Sequence, residues 1–212
     1  RILALGSNVS MSHLIGHRTK TFDLQGRTVI PGLIDSHIHA IRAALSFSTE
    51  VNWIGAHSLR EALNRLQTAS SKAAPGQWLI VAGGWTEEQF NERRRPTQDE
   101  LVAAAPHNPV YVQWMYGWAM LTPSAFSALG IQNETDLPGG GKFERDGQHN
   151  PTGGVIGGMV PLFDKLPKPT TEQKVAGTRQ FFSELNRLGI TGVLDPGGFN
   201  MDPSEYQPLF QV

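Results

Sequence analysis

The chain contains no cysteine. That absence excludes a disulfide framework and a thiolate metal site, so any bound metal must be held by histidine, carboxylate or a modified side chain. An excess of either charge is also missing: 18 Lys and Arg oppose 19 Asp and Glu, for a net charge of -1. Apart from the run Arg93, Arg94, Arg95 the basic residues are scattered. Such a distribution offers no footprint for nucleic acid or an anionic membrane surface, and the arginine run reads as a solvated face. There is no uninterrupted apolar span of transmembrane length and no signal-peptide pattern, so the expectation is a soluble, cytoplasmic chain. An initiator Met is absent too; the first residue is Arg1, which leads to the expectation of a processed or truncated product.

What is there suffices for a sizeable core. At 212 residues and 39% hydrophobic content, the chain can build one large domain, or one domain with a small appendage. Strand-like and helix-like segments alternate. The stretch TVIPGLIDSHIH reads as a buried parallel strand opening at Val29, because a short apolar run bounded by Pro31 and Gly32 ends in polar residues. Ser58 and Glu61 form an S-x-x-E capping box ahead of a helix with Leu59, Ala62, Leu63 and Leu66 on one face. QWLIVAGGW is a second strand. Thr97 and Glu100 cap a second helix, closed by Pro106, and PVYVQWMYGW is a third strand. A short helix after Pro123 stops at Gly130, and KFERDGQHNPTGG reads as a hairpin turning at Asp146 and Gly147. A long helix from about Thr171 to Leu188, with Phe182, Leu185 and Leu188 as its apolar side, leads through Gly189 to the strand ITGVLD.

This order implies a parallel sheet with helical cover, either doubly wound or part of a barrel of strand-helix units; in both, sites form at the carboxyl ends of strands. His37 and His39 stand there. Residues two apart on a strand face the same way, so their imidazoles can converge on one ion, with Asp35 in the same register. Such an ion lowers the pKa of bound water and polarises a carbonyl. Two ligands are too few for a stable site, and a bare H-x-H also arises by chance. Here, however, the pair closes an apolar strand behind a Pro-Gly turn.

The segment VIPGLIDSHIHA resembles the first-strand signature of the amidohydrolase superfamily. GQWLIVAGGWTEEQF, RRPTQDELVAAAPHNPVYV, ALGI, GGGKFERDGQHNPTGGV and LGITGVLDPGG follow in the order seen in the amidohydrolase 3, or YtcJ-like, branch, which includes enzymes resembling N-substituted formamide deformylase. The resemblance implies an α/β chain: a partial TIM-type (β/α) barrel over residues 30–212 with a β-hairpin insertion at about 138–158. Residues 1–29 would be the remnant of an N-terminal β-sandwich. It further implies that His37 and His39 ligate a divalent metal, zinc by default, that activates water against the carbon-nitrogen bond of a small non-peptide amide.

Other residues keep two readings. Asp35 is expected as a structural carboxylate bonded to a neighbour or to a ligating imidazole. Asp195 either faces the pocket or starts the loop at Pro196 and Gly197. Trp85 and Trp118, near strand ends, either line a substrate pocket or pack in the core. The chain also departs from the family. Where relatives commonly carry a Gly-His pair before ALGI, this chain has Tyr116, Gly117 and Trp118. The carboxylated lysine, further histidines and general-base aspartate that the family supplies from later strands have no counterpart before Val212, and His13, His17, His57, His107 and His149 do not replace them. The expectation is therefore the first part of a hydrolase, completed by the remainder of the barrel or by a homo-oligomer. A catalytically incomplete fragment or pseudoenzyme that only binds or assembles is the alternative.

Overall fold

Apolar side chains along residues 110–121 alternate so as to bury both faces of a sheet. Val110, Val112, Trp118 and Met120 lie in one core cluster, Tyr111, Ala119 and Leu121 in another, as the period-two placement of strand side chains requires. The computed structural model describes residues 2–198 and 201–212. Its strands, in chain order, are β1 (Leu33–Asp35), β2 (Leu79–Val81), β3 (Val110–Trp114), β4 (Trp118–Leu121), β5 (Lys142–Arg145), β6 (Pro151–Ile156) and β7 (Ile190–Val193). Its helices are α1 (Asn8–Met11), α2 (Ala40–Ser46), α3 (Leu59–Ser70), α4 (Gln98–Ala104), α5 (Pro123–Ala128), α6 (Met159–Asp164) and α7 (Thr171–Arg187). Several short 3-10 turns link them.

The strands fall into two separate sheets. Five form a mixed sheet of order β2-β3-β4-β6-β5, with β2 and β3 parallel and the rest antiparallel. Trp53, Leu59, Leu66 and Leu101 cover one face from α3, α4 and the chain before them, and Ala125, Met159 and Leu162 cover the other from α5 and α6. The second sheet is the parallel pair β1 and β7, with Asp35 opposite Val193. α2 and α7 pack together beside it through Ala40, Ala44, Phe181 and Leu185. The whole five-stranded unit is thus nested between two strands that neighbour each other in space.

This differs from a single alternating parallel sheet. The second and third expected strands belong to the nested unit, not beside β1, and the antiparallel part is larger than the hairpin at 138–158. PVYVQWMYGW is two strands. The chain reverses at Met115, whose φ of +52° a non-glycine residue rarely adopts, so no sequence signal marked the turn. β1 opens at Leu33 instead of Val29, and Leu33 and Ile34 are exposed where a buried strand was expected. Residues 2–32 contain α1 and turns but no strand, so the expected sandwich remnant adds no sheet here. On α7 the buried face is Gly177, Thr178, Phe181 and Leu185, while Leu188 is exposed.

Local signals fared better. Thr97 Oγ1 accepts from the Glu100 N–H while Glu100 returns the bond to the Thr97 N–H, closing the capping box of α4. Ser58 Oγ accepts from the Glu61 N–H at the start of α3, yet Glu61 reaches back to the His57 N–H, one residue beyond the expected partner. Two of the run's three arginines are paired instead of merely solvated. Arg94 bonds both carboxylate oxygens of Glu100 and, as the largest cause, holds that carboxyl down to about 2. Arg95 pairs with Glu87 and lies over the rings of Trp114 and Trp118.

Candidate metal centre

The ladder between β1 and β7 runs on past the strands, through Leu194 N–H to Asp35 O and Ile38 N–H to Leu194 O. It delivers His37 and His39 into the turn that starts α2. They follow the strand end and are not on it. Asp35 Oδ1 accepts the His37 backbone N–H at 2.9 Å, which fixes that turn. His39 occupies the N-cap of α2 but provides no capping bond. Asp195 provides one instead: Oδ2 accepts the Ile41 N–H at 3.0 Å and Oδ1 the Gly197 N–H at 2.9 Å. A carboxylate suits the positive end of a helix. Asp195 therefore ties the loop after β7 to the histidine-bearing turn, with Oδ1 3.9 Å from His39 Nδ1.

His39 Nδ1 lies 2.9 Å from the Gly197 carbonyl oxygen. A carbonyl can only accept, so Nδ1 carries the proton in this bond, which in the neutral ring leaves Nε2 as the lone-pair nitrogen. Ligating histidines characteristically donate their second ring N–H in this manner. Gly197 has φ +98°, a conformation available to glycine and strained for other residues; it is what aims the carbonyl at the imidazole. The two imidazole centroids stand 5.5 Å apart, nearly perpendicular. A tetrahedral ion with Zn–N bonds of about 2.0–2.1 Å puts two ligating rings roughly 5 Å apart, centre to centre. The centroid separation of the pair is close to that value. Among the described residues no group of three or more His, Asp or Glu side chains completes a site.

A cavity of about 340 Å³ opens beside His39, lined also by Arg42, Tyr116 and Val160. Arg42 belongs to α2, Tyr116 to the β3–β4 turn and Val160 to α6, so the nested unit supplies part of the wall. Sequence reasoning missed Arg42, Tyr116 and Gly197. The one available hint was the Tyr116-Gly117-Trp118 triplet that replaces the expected histidine. Trp85 and Trp118 are core residues: both are nearly fully buried with Trp53 and Phe90, and Trp85 Nε1 donates to the Gln113 carbonyl. The five other histidines are exposed and stand outside the pair.

One carboxyl just after α2 is perturbed. Burial pushes Glu50 above its ordinary value of 4.5, outweighing the lowering effects of the Ser46 hydroxyl and a backbone bond from Ala82, just past β2. The folded chain therefore holds this proton more tightly than the unfolded one, and the stability tied to it is full at acid pH and is lost as pH rises. Glu50→Gln is expected to keep its melting temperature better than the wild type between about pH 4 and pH 8. Parallel melting curves across that range check this; parallel losses in both proteins would refute it.

Among the described residues no helix is long and apolar enough to cross a membrane. The sequence profile of the amidohydrolase family matches residues 20–212. Over 202 residues the chain is 32% identical to Protein LONG AFTER FAR-RED 3 of Arabidopsis thaliana, covering 94% of this chain and 34% of that protein. It is 31% identical over 204 residues to N-substituted formamide deformylase of Arthrobacter pascens, covering 92% and 37%. The chain thus spans about a third of the length of these curated relatives. A crystal structure of an uncharacterized metal-dependent hydrolase from Pyrococcus horikoshii OT3 superposes with a TM-score of 0.49 at 19% identity, over 85% of this chain and 33% of that one, below the level at which superposition establishes a common fold. With the profile match extending from residue 20 to the last residue, the chain belongs to the amidohydrolase family.

Proposed function

We propose that this chain carries the first metal-binding strand of a metal-dependent hydrolase that cleaves carbon-nitrogen bonds of small non-peptide amides. The observation that supports this most is the His37–His39 pair at one-ion spacing, with His39 Nδ1 bonded to the Gly197 carbonyl and Nε2 left as the donor nitrogen. When bound, a divalent ion, zinc by preference for imidazole donors, supplies an acidified water and polarises the amide carbonyl. His37 and His39 hold it, Asp35 fixes the turn between them, and Asp195 anchors the helix on which His39 sits. The name of the formamide deformylase supports the choice of amides. The parallel β1–β7 pair with α2 and α7 alongside supports two neighbouring strands of a (β/α) barrel spanning 30–212, into which the five-stranded unit is inserted, with 1–29 belonging to a β-sandwich. Further ligands then come from the remainder of the barrel or from a second copy.

The absence of a third ligand among the described residues favours a second reading for the chain taken alone, a catalytically incomplete fragment that binds or assembles. Zinc retention decides how much of the centre resides here. In equilibrium dialysis with zinc the wild-type chain is expected to hold one ion with an affinity roughly tenfold or more above that of the His37→Ala, His39→Ala double variant. Equal retention by both proteins would remove the pair from any metal site and leave the second reading.

A further inference from the structure

We propose that the β3–β4 turn is a preformed arm of this site, on which Tyr116 binds the planar ring of a neutral amide beside the histidine pair and Gln113 is the positioning residue that holds it there. The orientation of the amide toward His39 rests on the hydrolase reading; the ring contact does not. β3 and β4 pair Trp114 with Trp118 across a loop of three residues, Met115, Tyr116 and Gly117. Loops of that length usually place their left-handed residue last and make it glycine. Here Gly117 stays outside that region and Met115 enters it, at φ +52°. A bulky residue keeps such a conformation only where its surroundings force it.

The groups that force it are buried and polar. The Tyr111 hydroxyl donates to Gln113 Oε1 at 2.8 Å, and Gln113 Nε2 donates to the Met115 carbonyl at 2.6 Å. Tyr111 and Gln113 are both buried, so breaking either bond would strand a polar group away from water. On the other side of the loop the Gly157 N–H donates to the Gly117 carbonyl at 3.0 Å, and the Arg95 guanidinium lies over the Trp114 and Trp118 rings at 4.2 and 4.9 Å. A reversal that served only to join two strands would need none of this, since an Asn-Gly or Gly-Gly pair does it alone. What the fixed turn presents is Tyr116. It is 64% exposed, and among the described residues it makes neither a hydrogen bond nor a ring contact. It nevertheless lines the cavity with His39 and Val160. That cavity, about 340 Å³ as the described residues bound it, lies near the lower end of small-molecule sites, about 300 Å³, and suits a single ring. A tyrosine on a fixed backbone has only two side-chain torsions to lose, so it offers flat contact area at low entropic cost.

Formanilide and N-cyclohexylformamide share the formamide group and a six-membered ring, but only the first ring is planar. Burial of apolar area alone gives formanilide no advantage, whereas a ring stacked on Tyr116 favours it. In ligand-observed NMR titrations of the full 212-residue chain, formanilide is expected to bind at least about threefold more tightly than N-cyclohexylformamide, the scale of one aromatic pair. Tyr116→Ala is expected to abolish that preference and Tyr116→Phe to keep it. Gln113→Leu, which removes the bond to the Met115 carbonyl, is expected to bring the ratio of the two affinities toward one. A purely structural loss would lower the folded fraction and weaken both ligands alike, leaving their ratio unchanged. Far-UV spectra confirm that each variant is folded. Equal or tighter binding of the cyclohexyl compound, a preference that survives Tyr116→Ala, a ratio unmoved by Gln113→Leu, or no binding of either ligand overturns the proposal. Zinc retention measured on the same samples separates the two ideas. Retained zinc without a preference for the planar ring sinks the Tyr116 assignment alone, and the preference without specific zinc sinks the metal centre alone.

Discussion

Trp53→Ala is expected to cost about 3–5 kcal/mol of stability, the range for emptying a buried aromatic position. Trp53 is fully buried and among the largest such side chains in the chain. Its ring meets Trp85 edge-on at 5.3 Å and Phe90 at 6.2 Å, contacts that add to area burial. The neighbours are themselves anchored: Trp85 Nε1 bonds the Gln113 carbonyl, and Gln89 Nε2 bridges the Trp53 and Ala56 carbonyls. They have little room to collapse into the void, which puts the loss toward the upper end. Trp53→Phe keeps the edge-on ring and is expected to cost clearly less. Urea denaturation measures both; a loss under about 1 kcal/mol for Trp53→Ala would mean that this cluster does not hold the nested unit together.

Gly177→Ala is expected to destabilise the chain although it replaces glycine in the middle of a helix. Helix propensity alone favours alanine by about 1 kcal/mol. Packing acts the other way. A Cβ at residue 177 would meet the Ala44 carbonyl oxygen and stand 3.2 Å from the Ser48 nitrogen and 3.4 Å from the Phe47 nitrogen. All three are backbone atoms of α2 and its C-terminal end, which cannot swing aside as a side chain can. Overpacking of this kind costs about 1–3 kcal/mol, so the clash outweighs the propensity gain. Relief requires α2 to move off α7, and α2 begins at His39. The variant is therefore expected to lose zinc retention along with stability, and Gly177→Val to lose more of both. A more stable Gly177→Ala with unchanged zinc retention would show that the α2–α7 contact is not limiting.

Features decided within a few residues were legible in the sequence. The caps at Thr97 and Ser58, the stop at Gly130, and the hairpin turning over Asp146, whose Oδ1 gathers the Gln148 and Asn150 N–H groups, depend on neighbours and could be read from them. The pair of sheets could not. Whether VIPGLID is buried depends on what lies beside it, and among the described residues β7 is the one strand that pairs with it. The β3–β4 reversal hid because Met115, not glycine, takes the left-handed conformation. The candidate centre divides the same way. His37, His39 and Asp35 share one short motif. Gly197, Asp195 and Tyr116 reach His39 and its cavity only through the tertiary fold; of these Asp195 carried an advance signal in its place after an apolar strand, and Tyr116 one in its place where a histidine was expected.

The nesting of one unit between β1 and β7 also bears on the order in which the chain is made and assembled. Leu33 and Thr191, and likewise His39 and Gly197, are separated by 158 residues. Closing an open loop of that length costs about 4–5 kcal/mol of chain entropy, whereas the nested sheet joins segments much nearer in sequence and has its own core. It can therefore condense first and bring the ends of the loop together. At about 5–20 residues per second of synthesis, the strand that precedes the histidines waits roughly ten to thirty seconds for β7 to leave the ribosome. Throughout that interval Leu33 and Ile34 have no β7 beside them, so the first part of the centre to be translated is the last to be paired.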